Sequence, residues 1–458
     1  MDLREARSVH FIGIGGYSMS GLAEILQSRG YRVTGSDAKA STRTERLLRR
    51  KVPVMIGHDP SHVDRADIVV YTSDVKEDNV EFAAAREAGT LLLHRSDVLA
   101  ALLAEGRSIA VTGSHGKTTT TTLTGHLLEA SGRDPTVMVG GEVDAWGGGV
   151  RMGKGEWIVA EADESDGSHL KYTPDVAVIT NVEAEHLDHY RGDFDALKRA
   201  MADFVAHVKD GGTAVLGADD PYLATLRAKG GCQTVHYGLS KGATLTAARI
   251  APQGGGHAFD VVWEGRAQGR AVIPIPGRHN VVNGLAALGA AMASGVVLAE
   301  AIPALAGFAN AHRRFEVHYR GRGILVVDDY AHHPTEIRAE IEAARELGPR
   351  RLIVAFQPQR YSRTKSLFDD FAKAFDGADV VYLLDIYAPP GEAPIAGVSG
   401  ERLAAEVRRL KGDPVFHVAG PDDLVKALLP TLREGDVVLT LGAGDIFRAA
   451  GAMAEGLA

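Results

Sequence analysis

Short apolar runs alternate with amphipathic, Ala- and Leu-rich stretches along most of the chain, a pattern that predicts an α/β protein. The first block has apolar runs at 9–12, 32–34, 68–71 and 91–93, with a helical pattern over 19–29. A strand at 109–111 opens a second block. Within it, residues 243–276 alternate polar and apolar positions around the turn signals GGG and EGR, which predicts a small antiparallel insertion. The third block starts near Gly321, with strands predicted at 324–327, 352–356, 380–384 and 437–441. Pro334 suits the first turn of a helix over 334–347, because its fixed φ fits there and its missing N–H costs no bond.

The length of 458 residues agrees with two or three domains. Fifty basic residues against 59 acidic ones give a net charge of −9, which disfavours sequence-independent binding to nucleic acid. One cysteine, Cys232, excludes an internal disulfide framework and suits a reducing cytosol. The first residues, MDLREARSVHFIGIGG, place charges before a short apolar run and offer no secretory cleavage site. No continuously apolar stretch reaches the ~18 residues of a membrane span. The expectation is a soluble, cytoplasmic protein with neither nucleic-acid nor membrane partners.

Residues 108–122, SIAVTGSHGKTTTTT, set an apolar strand before a Gly loop, a lysine and a run of hydroxyls. Such a segment cradles phosphate. Gly113 and Gly116 let backbone N–H groups turn inward, and the helix N-terminus adds positive potential. Lys117 can reach the β- and γ-phosphates, and Thr118 can offer its hydroxyl to Mg²⁺. The strict GxxxxGK[ST] pattern is broken, since Val111 takes its first glycine position. The loop itself does not choose between ATP and GTP.

Gly13-Ile14-Gly15-Gly16 also follows a strand and precedes a helix, with Asp37 at the end of the next strand. Ser18 replaces the third glycine of the dinucleotide fingerprint. A tight turn, a nicotinamide cofactor and another diphosphate such as a nucleotide sugar all fit this pattern. WIVAEADESDGS (157–168) releases a burst of carboxylates at a strand end, and NVEAEHLDHY (181–190) does so again with Glu185, His186, Asp188 and His189. Oxygen donors of this kind hold the metal that neutralises phosphates, and they suit zinc less well. GRHNVVN (277–283) places Asn280 and Asn283 at a helix start, as caps or as contacts to a base edge. DDYAHHP (328–334) and the arginines of QPQRYSRT (357–364) mark two further strand ends.

Together these segments resemble the Mur ligase family over essentially the whole chain. HFIGIGG (10–16), GSHGKTTTT (113–121), EADESDGS (161–168), TNVEAEHLDHY (180–190), GRHNVVN (277–283) and RRFE (313–316) carry the likeness. DDYAHHPTEI (328–337), DIYAPPGEAPIAGVS (385–399) and GAGDI (442–446) point to its alanine-adding branch or a peptide-recycling relative. The resemblance implies three domains. These are a Rossmann-like UDP-sugar domain at 1–106, a central P-loop ATPase-type domain at 107–320, and a Rossmann-like amino-acid domain at 321–458. It implies an ATP-dependent ligase, a monomer or homodimer, that joins L-alanine to the lactyl carboxylate of UDP-N-acetylmuramate through an acyl phosphate. A tripeptide acceptor is the alternative within the family, and a nicotinamide-dependent oxidoreductase the more distant one.

The same resemblance assigns Gly113, Ser114, His115, Gly116, Lys117, Thr118 and Thr119 to ATP, with Asn280 and Asn283 at adenine. Thr118, Glu161 and His186 would hold Mg²⁺ or Mn²⁺. Gly15, Gly16 and Asp37 would serve the sugar nucleotide; Tyr330, His332, Arg360 and Arg363 would face substrate in the third domain. Lys117, Glu161, His186, His332 and Arg360 would carry the catalysis. The chain departs from the family pattern at Tyr17-Ser18, at 72–75 (TSDV), at His169 where Phe is usual, and at Gln359 where His is usual.

Overall fold

The computed structural model describes residues 3–185, 187, 189–389 and 392–458. Three sheets carry the fold. The first contains β1 (Ser8–Ile12), β2 (Arg32–Asp37), β3 (Val54–Ile56), β4 (Ile68–Tyr71) and β5 (Leu91–His94). Its order is β3-β2-β1-β4-β5, with every pairing parallel. Chain order reverses between β1 and β4, so the carboxyl end of β1 is a topological switch point, where open α/β sheets take their ligands. Residues 13–16 lie there, ahead of the Tyr17–Ser28 helix.

The second sheet runs from β6 (Arg107–Thr112) through β7 (Thr136–Val143), β8 (Gly148–Arg151), β9 (Trp157–Glu161) and β10 (Val176–Ile179). It continues with β11 (Thr213–Gly217), β12 (Gln233–Gly238), β13 (Leu245–Gln253), β14 (Gly256–Trp263) and β15 (Arg266–Ile273). The spatial order is β15-β14-β13-β12-β11-β10-β6-β9-β7-β8. β6 pairs in parallel with β10 on one side and β9 on the other, which puts three motif-bearing strand ends side by side. The expected insertion is β13–β15. Its connections, Gly254-Gly255 and Glu264-Gly265, have φ of +61°, +85°, +48° and +76°. Paired positive φ values give the two-residue turn that reverses a chain between adjacent strands.

β16 (Glu316–Gly321), β17 (Ile324–Asp329), β18 (Arg351–Phe356), β19 (Val380–Leu384), β20 (Val415–Val418) and β21 (Asp436–Leu441) form the third sheet. Its order is β16-β17-β21-β18-β19-β20, parallel except for β16. Val327, Val354 and Leu439 bury into one layer, and Val326, Ile353 and Val438 into another. Helices cover both faces, so these strands read as unbroken apolar runs. The sheet opens at Glu316, ahead of the boundary expected at Gly321, because β16 is a half-exposed antiparallel edge whose polar residues hid it.

The chain divides into two compact units. Residues 1–249, 259–271 and 282–311 form the first, with the first sheet and most of the second. Residues 250–258, 272–281 and 312–458 form the other, around the third sheet. Among the described residues no helix is long and apolar enough to cross a membrane.

Candidate active site

β6 runs directly into the phosphate loop. Gly113 has a φ of +126°, and a Cβ there would stand 2.1 Å from Thr180 Oγ1. Gly116 (φ +80°) caps the Lys117–Ala130 helix, and its Cβ would stand 2.6 Å from Asn283 Oδ1. Both positions need glycine for conformation and for space. The end of β10 braces the loop: the carbonyl of His115 accepts from Thr180 Oγ1 (2.6 Å) and Asn181 Nδ2 (3.1 Å). Asn181 Oδ1 in turn accepts from the His115 N–H at 2.9 Å, and Ser114 Oγ from the Glu183 N–H at 2.8 Å. The His115 ring faces Glu183 (3.4 Å) and Glu185 (3.8 Å). Thr118 and Thr119 are buried at the start of the helix. The hydroxyls of Thr121, Thr122 and Thr124 donate to the carbonyls of Lys117, Thr118 and Thr120, which satisfies them inside the protein.

The end of β9 supplies the acids. Glu161 accepts from Thr118 Oγ1 at 3.1 Å and from the Gly140 N–H at 2.8 Å. Lys117 Nζ donates to Glu164 Oε1 at 2.9 Å and to the carbonyls of Gly113 and Ser114. Burial pushes the Glu164 carboxyl up to about 7, against the pull of Lys117. Burial would lower the Lys117 ammonium, but Glu164, Glu161 and Asp163 outweigh it and keep the group charged. Thr118 and Glu161, two of the three expected metal ligands, are thus in contact, and their oxygens suit Mg²⁺ or Mn²⁺. His186, the third, lies outside the described residues, as does Asp188. His169 is wholly buried and packs edge-on against Phe204, with ring centroids 5.5 Å apart. It fills an aromatic position in the core, which accounts for its place in the motif.

On the Arg278–Ala293 helix, Asn283 Oδ1 accepts from Thr120 Oγ1 at 3.4 Å and stands against Gly116. Asn280 Nδ2 donates to the Pro276 carbonyl at 2.7 Å, a cap-like bond. At the first glycine turn, Gly13 is left-handed (φ +79°) and the Gly15 N–H donates to Asp37 Oδ2 at 2.9 Å. Asp37 therefore closes the turn itself, while Gly16 stays exposed at its rim. Tyr17 carries the Arg43 guanidinium 4.0 Å above its ring, and Arg43 Nε donates to the Gly15 carbonyl.

In the second unit, Arg313 joins three of the sequence motifs. It donates to Asp328 Oδ2 at 2.8 Å and to the carbonyls of Gly442 and Gly444. Asp329 accepts from the N–H groups of Phe315 and Ala331, both at 2.7 Å. Tyr330 lies beneath both Arg313 (5.1 Å) and Arg314 (5.4 Å), and edge-on to His332 (5.4 Å). His332 Nδ1 meets the Tyr330 carbonyl at 3.0 Å, so the proton sits on Nδ1 and Nε2 is an acceptor. Burial, with Arg363 adding to it, drives the His332 imidazole down to about 3. Arg363 is oriented by Gln359 Oε1 at 3.1 Å, which gives the unusual Gln359 a structural task. Arg360 is exposed and held at φ +68°, ψ 130° by bonds from its N–H to Tyr387 and from Thr364 to its carbonyl.

Sequence reasoning missed Arg95, which reaches Asp163 and Asp166 from the helix after β5. It missed Arg313 as the link between motifs. A lone arginine at a helix start carries no local signature, so contacts across 68 and 71 positions are visible only in the fold.

A phosphate loop between two acid-bearing strand ends, in a chain that also carries a switch-point glycine turn, defines a nucleotide-dependent α/β enzyme. The Mur ligase family, catalytic domain, matches residues 8–107, the Mur ligase middle domain 111–291, and the Mur ligase glutamate ligase domain 313–444. The chain belongs to the Mur ligase family, which sets aside the oxidoreductase alternative. The UDP-N-acetylmuramate–L-alanine ligase of Symbiobacterium thermophilum is 50% identical over 99% of this chain and 95% of its own length. That of Sorangium cellulosum is 45% identical, covering 96% and 94%. The structure of the UDP-N-acetylmuramate–alanine ligase from Thermotoga maritima superposes with a TM-score of 0.84 at 29% identity, covering 98% of this chain and 99% of that one.

Proposed function

We infer that this chain is an ATP-dependent ligase that joins L-alanine to the lactyl carboxylate of UDP-N-acetylmuramate, in cytoplasmic synthesis of peptidoglycan precursors. The observation that carries this reading is the convergence at the end of β6, where Lys117 meets Glu164 and Thr118 meets Glu161. A carboxylate is a poor electrophile, so the γ-phosphoryl group of ATP first converts it to an acyl phosphate. The amine of alanine then displaces phosphate through a tetrahedral intermediate. Phosphoryl transfer needs positioning and neutralised charge more than covalent help. Lys117 supplies a fixed cation, and, with the Ser114 and His115 N–H groups bonded to Asn181, the N–H groups at the start of the Lys117–Ala130 helix would cradle the phosphates. Thr118 and Glu161, with His186, would hold Mg²⁺ or Mn²⁺, whose charge would offset that of the triphosphate.

Asn283, against Gly116, and Asn280 one turn before it are assigned to the adenine side. Gly15, Gly16 and Asp37 are assigned to the sugar nucleotide. Tyr330, His332, Arg360 and Arg363 are assigned to the acceptor side. With its imidazole near 3, His332 is too weak a base to keep the proton of the incoming amine. Its Nε2 suits a hydrogen-bonding role instead.

The test is ADP release from ATP, Mg²⁺ and UDP-N-acetylmuramate with no acceptor, L-alanine, glycine, L-serine or the tripeptide. Release that requires both the sugar nucleotide and L-alanine is expected, and K117A should abolish it in a folded protein. Preference for the tripeptide would move the chain to the recycling branch. Full turnover in K117A would refute the phosphate-loop assignment.

A further inference from the structure

The Arg95–Ala104 helix connects β5 of the first sheet to β6 of the second and packs on both, and its first residue reaches the acidic loop of the second. Arg95 Nη2 donates to Asp163 Oδ2 at 2.9 Å and to Asp166 Oδ2 at 3.0 Å. The other oxygen of each carboxylate is engaged within the loop. Asp163 Oδ1 accepts from the N–H (3.0 Å) and hydroxyl (2.6 Å) of Ser165, and Asp166 Oδ1 from the Ser168 N–H (2.9 Å). One guanidinium nitrogen thus fixes both turns of the loop. Glu164, the partner of Lys117, stands between the two fixed points, with its carbonyl accepting from the Tyr190 hydroxyl at 2.6 Å.

The same helix start also faces the first sheet. His94 Nε2 meets Ser73 Oγ at 3.1 Å, in the segment that leaves the carboxyl end of β4. Burial would lower the Arg95 guanidinium, but Asp163 and Asp166 hold it above its ordinary value. Its side chain is 17% exposed. A sheltered cation shared by two carboxylates fixes geometry in a way that an exposed pair does not.

We propose that Arg95 is a positioning residue that couples sugar-nucleotide binding on the first sheet to nucleotide binding at the phosphate loop. It rests on the assignment of those two sites above. Arg95 is engaged by Asp163 and Asp166 and acts by holding the loop that presents Glu161 to Thr118 and Glu164 to Lys117. Coupling of this kind is reciprocal and is read as a ratio of affinities.

The experiment titrates a fluorescent ATP analogue into the full-length protein with and without UDP-N-acetylmuramate. The unsubstituted protein, R95A, R95K and K171M are compared. K171M removes the 2.6 Å bridge from Lys171 to Asp97, which ties the same helix to the segment after the loop without touching either loop carboxylate. In the unsubstituted protein the sugar nucleotide should tighten the analogue by about fivefold or more. R95A should bring that ratio to about one, R95K should recover part of it, and K171M should keep it. If R95A does not fold, R95K carries the test: its single ammonium must lower the ratio. A full ratio in R95A or R95K, a ratio lost equally in K171M, or none in the unsubstituted protein overturns the proposal. Failure of the unsubstituted protein to bind the analogue at all would instead overturn the ATP assignment beneath it.

Discussion

Lys117 and Glu164 form an ion pair at 2.9 Å in which the acid is the more deeply buried partner, 2% exposed against 16%. Burial pushes the Glu164 carboxyl up to about 7 from an ordinary 4.5, so the folded protein binds this proton more tightly than the unfolded chain. The resulting stability is complete below pH 4.5 and is lost as pH rises through 7. E164Q lacks that titration. Its stability relative to the unsubstituted protein should therefore improve between pH 4.5 and 7, by on the order of 3 kcal/mol. Urea midpoints of both proteins across that range check the trend, and a difference flat with pH would count against it.

Thr118 and Glu161 meet at 3.1 Å with oxygen donors only. Chelation of divalent cations should stop ADP release, and E161Q should raise the Mg²⁺ concentration needed for half-maximal turnover by about tenfold or more. Nucleotide binding measured without divalent cation should be nearly the same in E161Q and the unsubstituted protein. An unchanged Mg²⁺ requirement would remove Glu161 from the proposed metal set.

Where the pattern was strong, the sequence reported the fold. The apolar runs of β1, β6, β18, β19 and β21 are buried on both sides of their sheets, so little besides a strand could absorb them. β3, β16 and β20 went unseen because they are short or half-exposed edges whose residues carry no continuous apolar signal. β7, β8, β11 and β12 went unseen as well; β11 is buried throughout, but its apolar run of Ala-Val-Leu between Thr213 and Gly217 is too short to stand out. The candidate site divides in the same way. Gly113, Gly116 and Lys117 announce themselves by local spacing, and the contact of Glu161 with Thr118 follows once β9 is known to flank β6. Arg95 and Arg313 act between motifs, and no local pattern encodes their partners.

Arg360 sits at φ +68°, ψ 130°, a conformation open to glycine and costly for any side chain. Replacement by glycine should release that strain, while replacement by alanine should not. R360G should therefore be more stable than R360A by about 1 kcal/mol, allowing for the greater freedom of glycine in the unfolded chain. Both should lose turnover with L-alanine to a similar extent, since both lack the guanidinium. Chemical denaturation together with steady-state kinetics separates the two effects. Equal stability of the two variants would show that the backbone relaxes at this position.

His169 takes an aromatic position in the core, edge-on to Phe204, with the backbone of Asp163 and Ala200 facing its ring. Burial lowers its imidazole to about 4 from 6.5. Between those values the unfolded chain binds a proton that the folded protein does not, so acid favours unfolding through this group. The penalty is absent above pH 6.5 and grows as pH falls toward 4, to on the order of 3 kcal/mol. H169F keeps a ring against Phe204 and cannot be protonated. The slightly larger ring can shift the absolute stability in either direction, so the dependence on pH is the measured quantity. Thermal or urea unfolding at several values from pH 7 to 4.5 should show H169F gaining on the unsubstituted protein as acidity rises. Parallel curves would mean that the imidazole is protonated in the folded state, and that its site is less closed than the packing against Phe204 indicates.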